Sequence, residues 1–272
     1  MAPNLPKKLE LTFYFWFAII PIFCIVFDTI FSIIEPNEGT FSTRTQDFDI
    51  AVMSQTIYLS VWVGMFTSIY GILNIIAFFK PNAMPQWVRG KNFFTSIMAL
   101  VLIEFIVYNV DLIYTKVTDK PFIGFNTWYN IIKSILEHML TPIISFIYFY
   151  VFAKSLIKTK EYMKKYSFYV YIMLIPYLTY AIIRAFFELE YYPGVRSNSN
   201  GKNPGFNPFP YPEMDWTNVG PALFVVGLIS LIVVAWAIGV FLNWTSNLAY
   251  KSINSYEFDN LNKDVTNNVK NK

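Results

Sequence analysis

Six stretches of this chain, residues 11–34, 55–79, 93–114, 128–152, 168–189 and 219–242, are each apolar over a length that crosses a bilayer. A hydrocarbon core of about 30 Å needs about 20 apolar residues in a helix. Lipid offers no hydrogen bonds to a bare backbone, so such segments must be helices. Composition agrees: 55% of the 272 residues are apolar and only 14% charged, too few charges to cover a soluble surface of that size. The sequence therefore reads as an all-α, polytopic membrane protein, a bundle of six transmembrane helices over residues 1–247. Residues 248–272 are polar and rich in asparagine, and are read as a disordered cytoplasmic tail that cannot bury enough apolar surface to order itself.

The first stretch is too long for a signal peptide, carries Asp28 near its end and has no small-residue cleavage site after it, so it reads as the first span. Basic residues set the orientation. With the N-terminus inside, 14 lysines and arginines fall in cytoplasmic parts, among them Lys7, Lys8, Arg89, Lys154 and Lys165, against five outside. This is the positive-inside bias, and it places both termini in the cytoplasm of a multi-pass plasma-membrane protein. The net charge of +3 then reports topology, and no loop carries the basic, aromatic stripe of a nucleic-acid binder. Membrane lipids are the expected partners.

Polar residues inside the spans point to a working site, since ionisable groups at membrane depth are costly and face a cavity or a partner. His138, the single histidine, stands mid-span with Glu137 beside it and Pro142 four residues on. Proline has no N–H for the carbonyl of His138, so a kink is expected there. At about 1.5 Å per residue, Glu104 of the third span lies at similar depth and is the expected partner of the imidazole. Asp28, Tyr108, Asn109, Asp111, Lys133 and Arg184 fall in the outer half, which predicts a polar pocket on that side, with Tyr108, Asn109, Asp111 and Arg184 lining it. Lys133 with Glu137, and Arg184 with Glu188, are spaced as ion pairs along one helix face. If His138 is a general base, Thr67, Ser60 or Thr56 of the second span is the candidate nucleophile.

Cys24 is the single cysteine, so no internal disulfide forms, and one histidine without a cysteine cluster predicts no protein-held zinc or iron site and no cofactor. The loop over residues 190–218 mixes prolines with Tyr191, Tyr192, Phe206, Phe209, Tyr211 and Trp216. It either caps the outer mouth of the bundle or lies in the headgroup belt.

Several motifs carry a resemblance. Val107-Tyr108-Asn109, the pair His138 and Pro142, and the run Tyr180-Ala181-Ile182-Ile183-Arg184 followed by Phe209-Pro210-Tyr211-Pro212-Glu213-Met214-Asp215 resemble a mycoplasma-type bacterial family of six-span membrane proteins. More distantly they are similar to the androgen-induced membrane hydrolases of animals. The resemblance covers most of residues 50–245. It implies an intramembrane hydrolase of fatty-acid esters that uses a threonine of the second span and the histidine of the fourth. The histidine maps onto His138. The threonine motif has no intact copy, and Thr56, Ser60 and Thr67 each match part of it. The expected function is an intramembrane hydrolase acting on a lipid ester, with Glu104 orienting His138. The alternative is a non-enzymatic carrier or sensor of a small amphiphile or proton, bound by Glu104, His138 and Arg184.

Overall fold

The computed structural model describes residues 7–35, 52–53, 55–118, 125, 127–152, 155–191, 208–211 and 214–270, without the side chains of residues 191 and 254–270. Among them, six helices are long and apolar enough to cross a membrane. They are α1 (Lys7–Ile34), α2 (Leu59–Phe79), α3 (Lys91–Val117), α4 (Trp128–Val151), α5 (Tyr169–Tyr191) and α6 (Pro221–Lys270). Large apolar side chains such as Ile19, Ile113 and Ile172 lie exposed on the outside of the bundle, as a lipid-facing surface requires. The protein is an all-α polytopic bundle.

Most spans start and stop within a few residues of the apolar blocks, and the exceptions have local causes. α2 begins at Leu59 rather than 55, because Tyr58 is extended (φ −83°, ψ 139°) and breaks the helical path. Residues 55–56 form a separate turn, held by Trp62 Nε1 donating to the Thr56 carbonyl at 2.8 Å. α6 opens with Pro221 at its first position, after Gly220 at φ +84°. Proline there loses no helical hydrogen bond, and glycine takes the positive φ without strain. At its other end α6 runs on as helix through residues 248–270, where the sequence predicts disorder. Extending a formed helix by one residue avoids the cost of nucleation, so α6 carries its polar continuation along.

α1 and α2 make the closest helix pair. A Cβ added to Gly71 would sit 2.7 Å from the Tyr14 carbonyl oxygen and closer still to the Ala18 nitrogen, so the two backbones touch. Gly64 meets Pro21 in the same groove, with 3.4 Å between Pro21 Cβ and a Cβ added there. Small residues permit this approach, the usual way of gaining packing between helices in lipid. α3 lies central, buried along Phe94–Val101, and carries α6 on one flank.

The end of the bundle bearing the N-terminus has an aromatic core. Tyr148 donates to Tyr14 at 3.0 Å and lies 3.0 Å from the Tyr70 hydroxyl, while Tyr14 donates to Glu10. Nearby, Lys91 Nζ donates to Asn247 Oδ1 at 2.7 Å, and Asn247 and Asn243 both donate to the Ile157 carbonyl, tying α6 to the chain between α4 and α5. A small cavity of about 20 Å³, open in part to solvent, lies at this end, lined by Tyr70, Lys91 and Tyr148 among others. At the opposite end the described part of the 190–218 loop folds back on the bundle. Phe209 and Met214 join the core, and Arg184 donates to the Pro208 carbonyl at 3.3 Å. That favours the cap over the headgroup belt for these residues; Tyr192, Phe206, Pro212 and Glu213 lie outside the described part.

Candidate functional site

α4 starts at Thr127, whose hydroxyl accepts from the Asn130 N–H at 3.3 Å, and it does not remain a plain α-helix. Residues Leu136–Leu140 form a π-helical turn, closed by the Thr141 N–H donating to the Leu136 carbonyl, before α-geometry resumes over Thr141–Val151. The sequence predicts a kink at His138 from Pro142. At that place the helix widens over one turn, a local arrangement that recurs at functional sites. Glu137 and His138 sit inside the widened turn.

Three helices converge there. His138 Nδ1 lies 2.9 Å from Glu104 Oε1 of α3, which is the pairing read from their depth. Tyr108, one turn along α3 from Glu104, stacks on the imidazole with ring centres 3.9 Å apart and planes 16° from parallel. The ring is held by a bond at its edge and an aromatic face, and the side chains of His138 and Glu104 are 12% and 8% exposed. Next to it, Lys133 Nζ donates to Asp28 Oδ2 of α1 at 2.6 Å and to Gln55 Oε1 at 3.1 Å. The Lys133–Glu137 pair expected from spacing is the weaker contact, at 3.9 Å.

Glu137 is the anomaly of the group. Its side chain is 6% exposed, and neither carboxylate oxygen accepts a hydrogen bond from any described residue. A buried carboxylate without a donor is costly. Donor atoms of Glu104, Glu137 and His138 all lie within 4.8 Å of one another. The sequence predicts no metal site, because it counts thiols and histidines and searches for spaced motifs. The structure gathers two carboxylates and an imidazole from two helices; the sequence shows the adjacency of Glu137 and His138 and the depth match of Glu104 with His138, but not that Glu137 turns toward Glu104.

The remaining candidates divide. Thr56 is engaged elsewhere: its hydroxyl lies 2.6 Å from the Tyr180 hydroxyl and donates to the Val52 carbonyl at 3.0 Å. Ser60 and Thr67 are buried on α2, and the Thr67 hydroxyl has no hydrogen-bond partner among the described residues. Among the described residues the imidazole hydrogen-bonds to Glu104 and to none of these three hydroxyls. Of the expected pocket residues, Tyr108 joins the site. The Asn109 amide donates to the Phe105 carbonyl of its own helix at 2.7 Å, and Asp111 is half-buried farther along α3. Arg184 pairs with Glu188 at 2.7 Å, as the spacing predicts, and also anchors Pro208. The sequence reading missed the link between Asp28 and Lys133. Both residues were placed in the outer half, but depth alone does not say which faces of α1 and α4 meet.

Compared with protein-family models, with curated proteins and with solved structures, the chain has no match in any of the three.

Proposed function

We propose that this protein is a carrier or sensor in the plasma membrane that takes up a small cationic species, a proton or the charged head of an amphiphile, at the cluster formed by Asp28, Glu104, Lys133, Glu137 and His138. One observation carries the reading. Three buried carboxylates, Asp28, Glu104 and Glu137, share one lysine and one imidazole, so acidic side chains outnumber basic ones in the cluster. Uncompensated charge inside a membrane bundle is costly, and a cation of matching size relieves it. The Glu137 carboxylate, which accepts no hydrogen bond, is the vacancy in the network.

The test is flux and binding in reconstituted vesicles. Purified protein in liposomes should move protons or a single-chain amine down a gradient, or be stabilised by the amine in detergent. Glu137→Gln should reduce either response about tenfold or more. No response of the folded wild type to any cation sinks this reading.

A second reading keeps the lipid-ester hydrolase. Two things support it: the resemblance of the His138 motif, and a Thr67 hydroxyl buried without a partner on the neighbouring helix. His138→Ala should then abolish turnover of a fluorogenic long-chain ester. A wild type that neither turns over such an ester nor labels with a fluorophosphonate ends it.

A further inference from the structure

We infer that Glu104, Glu137 and His138 form a site for one divalent metal ion of the zinc and manganese class, set between α3 and the π-turn of α4. The inference rests on the cationic-ligand reading and names its ligand.

The donor set comes first. Two carboxylates and an imidazole suit Zn²⁺, Mn²⁺ or Fe²⁺, and the absence of a thiolate from the set disfavours copper(I). Their donor atoms lie within 4.8 Å of one another. Ligand atoms around tetrahedral zinc are about 3.4 Å apart for bonds of about 2.1 Å. Side-chain rotations of about an ångström close that difference, without moving a helix.

The second observation is the state of Glu137. Its carboxylate is buried, directed toward the other two donors, and accepts no hydrogen bond. Lys133 pairs with it only loosely and gives it no hydrogen bond, since the short contacts of that ammonium go to Asp28 and Gln55 and leave Glu137 at 3.9 Å. A coordinated divalent ion would satisfy the carboxylate and offset the excess of acidic over basic side chains in one step.

The surroundings fit a ligand cage. Stacking on Tyr108 holds the plane of the imidazole, so the ring is oriented before a ligand arrives. The π-turn brings the donors of two consecutive residues, Glu137 and His138, to one place. Three protein ligands leave a coordination position for water or an incoming group.

Full-length protein, stripped with a chelator in detergent, is dialysed against micromolar Zn²⁺, and bound metal is measured by elemental analysis. Co²⁺ absorption serves as the readout of geometry. One ion per chain is expected, together with a rise in thermal midpoint. Glu137→Gln and His138→Asn, which remove a ligand, should weaken binding by at least about 100-fold, the upper end of the loss seen when an outer partner of a ligand is removed. Glu137→Asp, which keeps the charge but shortens the reach, covers the case in which the Gln variant does not fold, and should bind weakly. Glu161→Gln, on an exposed residue outside the site, should bind as wild type. Folded wild type that takes up no zinc overturns the inference. So does a Glu137→Gln or His138→Asn variant that binds zinc as wild type does. A wild type that responds to protons or amines but not to zinc overturns the metal and leaves the broader reading standing. One that responds to no cation overturns both.

Discussion

His138 Nδ1 and Glu104 Oε1 lie 2.9 Å apart across the α3–α4 interface, although 34 positions separate the two residues in the chain. That contact makes a mid-membrane histidine into a member of a network. Through Glu137 and Lys133 the network reaches Asp28 of α1.

Lys133 is the hinge of the charge balance. Lys133→Met leaves Asp28 and Glu137 without a cation and should cost roughly 3–5 kcal/mol, the scale for breaking a buried pair from one side. Adding Asp28→Asn should recover part of that loss, because removing both partners of a buried pair is far less damaging than removing one. Unfolding in a mixed-micelle titration measures both.

Backbone contact at Gly71 should make it intolerant. Gly71→Ala places a methyl group against the Tyr14 carbonyl and Ala18 nitrogen and should cost about 1–3 kcal/mol, the range for overpacking. Gly227 on α6 has open space around the same position, so Gly227→Ala should be neutral or mildly stabilising. Thermal midpoints of the two variants, compared side by side, decide the matter.

Much of the fold was legible because span length is a property of local sequence. The six blocks, the depth match of His138 with Glu104 and the Arg184–Glu188 pair all follow from counting along a helix. What was hidden depends on how helices are rotated about their axes. The Asp28–Lys133 bond, the loss of Thr56 to Tyr180 and the gathering of Glu104 with Glu137 are of this kind. The π-turn was half legible: Pro142 marks the place, but the widening of the turn depends on packing against α1 and α3.

Pro142 should exchange stability for site geometry. Pro142→Ala restores an N–H opposite the His138 carbonyl and allows the turn to revert to α-geometry, a gain of up to about 3 kcal/mol in helix terms. The same reversion moves Glu137 and His138 out of register with Glu104. The variant should melt higher and bind cations several-fold more weakly, measured on one preparation by thermal scan and ligand titration.

Tyr108 acts through its ring face. Tyr108→Phe keeps the stack on the imidazole and should leave cation binding close to wild type. Tyr108→Ala should weaken it by about 2- to 10-fold, the worth of an aromatic pair at about 0.5–1.5 kcal/mol. Titration of both variants with the same cation separates the stack from the hydroxyl.

The single histidine allows the central contact to be seen directly. Protein labelled with ¹⁵N at histidine gives the imidazole signals of His138 alone. Nitrogen NMR in bilayers should show a ring whose Nδ1 is hydrogen-bonded, and Glu104→Gln should shift that nitrogen most. A ring with the signals of a freely solvated imidazole, unchanged by Glu104→Gln, would contradict the buried network on which the account stands.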